Sequence, residues 1–168
     1  MTKEEMLRTH RACFSGQRAE KLHASETEIK AWLSEQIDHA IRFDGIQTFI
    51  SGAGMGVETW AAQLVLEKKK DTAVHLIVVV PWPGFAHKWN EDRKKEYADI
   101  CNRADLLRYI SPSYHDDIFA ERNRWMVDHS SLVIAYYNGD KGGTNDTLQY
   151  ARDHQVKVTV HAEKETEG

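Results

Sequence analysis

Val74-His75-Leu76-Ile77-Val78-Val79-Val80 is an almost unbroken run of branched apolar residues, followed at once by the turn residues Pro81-Trp82-Pro83-Gly84. A strand with solvent on one face alternates apolar and polar side chains, whereas a strand covered on both faces reads as continuous, as this one does. Shorter apolar runs of the same kind lie at Arg11 to Phe14, Thr48 to Ile50, Leu106 to Tyr109, Leu132 to Tyr136 and Val156 to Val160. Between them the apolar spacing turns helical. Glu28 to Phe43 sets Ile29, Trp32, Leu33, Ile37, Ala40 and Ile41 on one side, and Val57 to Lys70 does so with Trp60, Ala61, Leu64 and Val65. Further helices are expected at about Lys88 to Arg103, His115 to Asp128 and Thr144 to His154. Strand and helix in alternation predict an α/β fold, a doubly wound, mostly parallel sheet with helices on both faces. Ligands of such sheets sit outside the carboxyl ends of the strands, where strand order reverses.

Composition narrows the class. With 168 residues, a single domain over 1–162 and a polar, frayed tail over 163–168 are expected. Lys plus Arg number 22 against 26 Asp plus Glu, for a net charge of −4, which speaks against duplex nucleic acid, and no nucleic-acid partner is expected. No apolar run approaches the roughly 18 residues that span a bilayer, and Met1-Thr2-Lys3-Glu4-Glu5 is too charged to open a signal peptide. A cytoplasmic protein without membrane partner is the expectation. Cys13 and Cys101 form no paired motif and read as buried structural thiols. The nine histidines show no HxH, HExxH or His-Cys spacing, and His115-Asp116-Asp117 fits a helix start, so neither metal nor cofactor is expected.

Three loops at the expected carboxyl edge carry the chemistry. The first strand runs into Ser15-Gly16-Gln17-Arg18, where a glycine permits close backbone approach and Arg18 offers a forked cation to phosphate. The second ends in Ser51-Gly52-Ala53-Gly54-Met55-Gly56-Val57-Glu58. Its alternating glycines can aim amides at an anion beside a helix N-terminus, but the spacing is neither GxGxxG nor a P-loop. Glu58 there either favours the helix dipole or faces a ligand, accepting from ribose hydroxyls or acting as acid, base or nucleophile. The fifth strand leads to Gly142-Gly143-Thr144, whose amides and hydroxyl suit a phosphate, although Thr144 also reads as an N-cap.

Other positions carry two readings each. Trp82 and Trp89 either stack on a base or pack the loop and a subunit interface. Arg122 suits a bidentate phosphate contact, or a surface ion pair with Glu121 or Asp128. Lys88 and Arg93-Lys94-Lys95 read as a solvated helix face.

Arg11-Ala12-Cys13-Phe14-Ser15-Gly16-Gln17-Arg18-Ala19-Glu20-Lys21-Leu22 and the segment from Ile50-Ser51-Gly52 through Gly56-Val57-Glu58-Thr59-Trp60-Ala61-Ala62 resemble the two signatures of YpsA-like proteins. These belong to the SLOG superfamily, named for DprA/Smf and the LOG phosphoribohydrolases. The resemblance runs from about Arg11 to Val160 and implies a Rossmann-like fold with a pocket for a nucleotide or nucleotide derivative. It leaves the activity open, since members include hydrolases, DNA-binding proteins and nucleotide sensors. Ser15, Gln17 and Ala19 stand where the first signature has Thr, His and Pro, so Gln17 supplies no imidazolium. Glu121-Arg122 resembles the first half of the LOG motif, and Gly143-Thr144 aligns with its Gly-Thr, but the position of the catalytic Glu holds Thr147.

The expected function is therefore to bind, sense or sequester a nucleotide-derived molecule such as an ADP-ribose derivative, through Ser15, Gly16, Gln17, Arg18, Ser51, Gly52, Gly54, Gly56, Glu58, Trp82, Arg122, Gly142, Gly143 and Thr144. The alternative is an N-glycosidic hydrolase or transferase with Glu58 and Arg122 catalytic. A homo-oligomer, first of all a dimer, is expected from the exposed aromatics.

Overall fold

The computed structural model describes residues 1–164. Its elements are α1 (Lys3–Arg8), β1 (Arg11–Gly16), a 3-10 turn (Ala19–Lys21), α2 (Glu26–Phe43), β2 (Thr48–Ser51), α3 (Val57–Lys68), β3 (His75–Val80), α4 (Glu91–Arg103), β4 (Leu106–Tyr109), α5 (Ile118–Asp128), β5 (Leu132–Tyr137), α6 (Gly143–Asp153) and β6 (Lys157–Ala162). The strands form one sheet in the order β4-β3-β2-β1-β5-β6. Every neighbouring pair is parallel, so the sheet is parallel throughout. From β1 the chain steps outward to β4 and then returns to the other side of β1 as β5. The reversal point is thus the β1–β5 boundary, where Ser15 pairs with Ala135 and Gly16 with Tyr136.

The period of two along each strand divides the core into two layers. Ala12 and Phe14 of β1, with Leu132, Ile134 and Tyr136 of β5, face Ile29, Leu33 and Ile37 of α2, Val57, Trp60 and Val65 of α3, and Ile100 of α4. Cys13, Val133, Ala135 and Tyr137 point the other way, onto Met126 and Val127 of α5 and Leu148 and Ala151 of α6. Phe14 and Phe49 stack across β1 and β2 with ring centroids 5.7 Å apart. Burial pushes the Cys13 thiol up to about 12, as suits an inert core residue, whereas Cys101 is only partly buried.

Local chemistry moves several boundaries. The helix expected from Lys88 starts at Glu91, because Asn90 accepts from the Arg93 amide and caps it there. The one expected from His115 starts at Ile118, after Asp117 turns left-handed at φ 69°. Helix α1 was not expected, yet Thr2 and Glu5 form a reciprocal capping box that the spacing Thr2-x-x-Glu5 announces. Edge strand β4 is largely exposed, unlike the doubly covered β3. No helix among the described residues is long and apolar enough to cross a membrane.

The start of the expected tail is held in place. Glu163 accepts from the His23 amide at 3.0 Å, the Ala24 amide at 2.9 Å and the Tyr136 hydroxyl at 3.2 Å. Burial raises this carboxyl, but the Ala24, His23 and Tyr136 donors outweigh it and hold its pKa below the ordinary value. Burial, then the Glu163 charge, pushes Tyr136 up to about 12. Lys164 donates its amide to Asn138 and pairs with Asp140. The remainder of the expected tail, 165–168, lies outside the described residues.

Candidate functional site

The carboxyl ends of β1, β2 and β5 enclose a cleft of about 350 Å³ at the reversal point. Ser15 and Gly16 come from the end of β1, Gln17 and Arg18 from the loop after it, Gly54 from the β2–α3 turn, Glu58 from the first turn of α3, Arg122 from α5, and Gly142, Gly143 and Thr144 from the start of α6. Ten of the expected site residues thus line one cavity. Trp89, read from the sequence as either a stacking or a packing residue, joins them there, as do Lys21, Met55, Phe85, Phe119, Asn123 and Lys141, none of which was among the expected site residues. Lys141 lies inside the glycine-rich loop and was legible by position; Phe119 and Asn123 reach the cleft only because α5 crosses the sheet.

Arg122 and Glu58 meet each other on the cleft floor. The Arg122 guanidinium donates to Glu58 Oε1 at 3.3 Å, to the Gly52 carbonyl at 3.2 Å and to Asn123 Oδ1 at 3.1 Å. The Gly54 amide donates to Glu58 Oε2 at 3.2 Å. Arg122 is 5% exposed and Glu58 8%. The surface pairing of Arg122 with Glu121 or Asp128 is therefore not what forms, since α5 turns Arg122 inward toward the β2 loop. A Cβ on Gly52 would overlap Glu58 Oε2 and the Arg122 guanidinium, so the absence of a side chain there is what lets the pair close over the backbone. Each Glu58 oxygen keeps acceptor capacity, and two of the five Arg122 N–H donors stay uncommitted.

Among the described residues, four cations, Arg18, Lys21, Lys141 and Arg122, line the cleft against one carboxylate, Glu58. Because Glu58 neutralises Arg122, the positive charge left in the cleft is that of Lys21, Lys141 and Arg18, the last of them beside Glu20. Arg18 sits 4.0 Å from Glu20 with both side chains largely exposed. Helices α3 and α6 begin at Gly56 and Gly142 without a side-chain cap, whereas Ser25 caps α2 and Asn90 caps α4. At α3 the first amide is taken by the Gln17 carbonyl at 3.2 Å. At α6 the space beside Gly142 and Gly143 is open, and a Cβ on either would meet nothing within 4 Å among the described residues. An uncapped helix start beside open space suits an anion.

The other expected residues serve the frame. Ser51 donates its hydroxyl to the Glu58 carbonyl at 2.8 Å and accepts from the Ala53 amide at 3.1 Å, fully buried below the cleft. Gly56, at φ 88°, packs against the Gln17 carbonyl and the Arg18 backbone. The side chain of Gln17 accepts from the Asn138 amide at 2.9 Å and so ties the β1 loop to the β5 loop. Trp82 lines an adjoining depression rather than the cleft. Thr147 spends its hydroxyl on the Gly143 carbonyl at 2.9 Å and faces a separate groove between α5 and α6. Among the described residues no cluster of His, Cys, Asp and Glu could hold a metal ion.

The model of the YpsA family, described as the YspA SLOG family, matches residues 13–164. A UPF0398 protein of Macrococcus caseolyticus is 28% identical over 143 residues, covering 79% of this chain and 75% of its own length. One from Staphylococcus epidermidis is 25% identical over 116 residues, 67% of this chain, and the match spans only 61% of that relative. DNA processing protein A (DprA) from Helicobacter pylori, described for its single-stranded DNA binding mode, superposes with a TM-score of 0.64 at 18% identity, over 97% of this chain and 71% of that one. DprA from Streptococcus pneumoniae does so with 0.68 at 17% identity, over 93% and 51%. At such identities the likeness to DprA is one of fold.

Proposed function

The chain belongs to the YpsA family of SLOG proteins, and from that premise we propose that it binds a nucleotide or nucleotide-derived small molecule at the carboxyl edge of its sheet. One observation carries the reading: at the point of strand reversal, an uncapped, glycine-started helix, three cations beyond the Arg122–Glu58 pair and a carboxylate with spare acceptor capacity share one cleft. The phosphate belongs against the Gly143 and Thr144 amides, flanked by Arg18, Lys21 and Lys141. Ribose hydroxyls belong on Glu58, and the base against Phe85, Trp89 and Phe119. A hydrolase of N-glycosidic bonds needs a carboxylate free to attack or stabilise the sugar. Glu58 is engaged by Arg122 and Gly54, so binding without turnover is the better supported reading.

Thermal melts with AMP, ADP, ADP-ribose and a short single-stranded oligonucleotide test it; the last is included because Helicobacter pylori DprA, of like fold, binds single-stranded DNA. A saturable rise is expected for a phosphorylated nucleoside, about 2.7 kcal/mol at a hundredfold excess over Kd, or roughly 5–10 °C for a chain of this size. No shift with any compound, together with no nucleotide released on denaturing the purified protein, defeats the proposal. Free base appearing from AMP, IMP or NAD transfers the preference to the hydrolase.

A further inference from the structure

Beside the cleft, and sharing Arg18, Met55, Phe85 and Trp89 with it, opens a second depression of about 800 Å³. Its far wall is Trp82 and Tyr114, whose rings meet edge to face at 5.3 Å. Trp82 also meets Phe85 at 5.7 Å, and Phe85 meets Trp89 at 5.1 Å, so the wall is one continuous aromatic array from the cleft outward. The Pro81-Trp82-Pro83-Gly84 turn fixes it. The Phe85 amide donates to the Trp82 carbonyl at 3.1 Å, and a Cβ on Gly84 would stand 2.9 Å from Trp82 Nε1. Packing alone would bury such rings, yet Tyr114 is 58% exposed and the depression stays open. Arg18 and Lys88 bring positive charge to it, and no carboxylate lines it among the described residues.

We propose that this annex seats a second planar, base-like group, so that the preferred ligand carries two bases joined through phosphate. The proposal rests on the nucleotide reading of the adjoining cleft. Arg18 is the cation common to both cavities, which places the anionic bridge between them. The first nucleoside occupies Glu58 and the α6 N-terminus, and the second base stacks on Trp82 and Tyr114 at the far wall. Stacking of this kind tolerates any base and is reinforced by nearby cations. A mononucleotide would leave the larger of the two cavities bare, with its aromatic surface in water. A free dinucleotide and a short strand share this chemistry.

Calorimetric titrations of the full chain with AMP, ADP-ribose, diadenosine pyrophosphate and an adenine trinucleotide test the inference. Diadenosine pyrophosphate is expected to bind at least about tenfold more tightly than either AMP or ADP-ribose. Trp82→Ala is expected to erase that ratio, and Tyr114→Ala repeats the test should the first variant not fold. A trinucleotide that binds more tightly still identifies a strand as the source of the two bases and supports the annex. Equal affinity for ADP-ribose and diadenosine pyrophosphate overturns the annex while leaving the cleft reading intact. Failure of every compound to bind overturns both. If Trp82→Ala changes the mass of the protein in solution but not the ratio of affinities, the wall contacts a second copy and the inference is wrong.

Discussion

A guanidinium and a carboxylate meet at 3.3 Å between Arg122 and Glu58, with side chains 6% and 11% exposed. Taking two such ions out of water costs several kcal/mol each, recovered only while both are present and hydrogen-bonded. Glu58→Gln is therefore expected to cost about 3 kcal/mol, because it leaves Arg122 buried without a counter-charge. In a melting experiment that is a fall of roughly 6–12 °C. Replacing both, Glu58→Gln with Arg122→Met, is expected to recover most of the loss, since no lone charge is then buried. If the single variant melts like the parent, the pair is not the buried unit described. Any loss of binding in Glu58→Gln must accordingly be measured well below its own melting temperature. Both residues could be picked out from the sequence as site candidates. Their pairing could not, since they lie 64 positions apart and meet only through the fold.

Among the elements, the loops at the reversal point are tied together by the end of the chain. Glu163 fixes the His23 and Ala24 amides, just ahead of α2, while Lys164 holds Asn138 and Asp140 before α6. The two segments so fixed flank Arg18, Lys21 and Lys141, the cations of the cleft. Because the folded Glu163 pKa lies below its ordinary 4.5, its stabilisation is complete above that value and is lost as pH falls through the lowered folded value. Glu163→Gln is expected to cost on the order of 1–2 kcal/mol near neutrality and to flatten this acid limb, measured as denaturant midpoints at several pH values. An unchanged acid limb would show that the clamp carries no linkage. This clamp was hidden in the sequence, where Glu163 stands in a run of polar residues with no pattern. The strands and main helices were legible because their periodicities follow from which faces are buried. Their starts shifted where a single side chain, such as Asn90, or a left-handed residue, such as Asp117, ended the preceding turn.

For the molecule as a whole, a net charge of −4 coexists with a cleft whose described charges beyond the Arg122–Glu58 pair are all cationic. On the proposed reading, such a site draws a small anion by local focus of charge. Raising salt from ~0.01 M to ~0.1 M shortens the screening length from about 30 Å to about 10 Å. The thermal shift produced by AMP is expected to shrink accordingly, and any shift from uncharged adenosine to stay constant. Equal, salt-independent shifts from both would mean that Arg18, Lys21 and Lys141 do not hold the phosphate. The order β4-β3-β2-β1-β5-β6 is what makes the focus possible, since it brings the β1 and β5 loops side by side at the one boundary where helices depart to opposite faces.

The sequence by itself determined the fold class, the two-sided burial of β3 and the three glycine-bearing loops, because strand and helix periods and turn residues are local properties written at short range. It also determined family membership, through two signature segments. Only the tertiary structure decided that Arg122 closes on Glu58 rather than on a surface neighbour. The same holds for Gln17, spent on Asn138, for Trp82, which stands beside the cleft rather than in it, and for Glu163, which anchors rather than frays. Each of these depends on which residues distant in sequence share a desolvated or crowded space, and that is set by packing across the sheet.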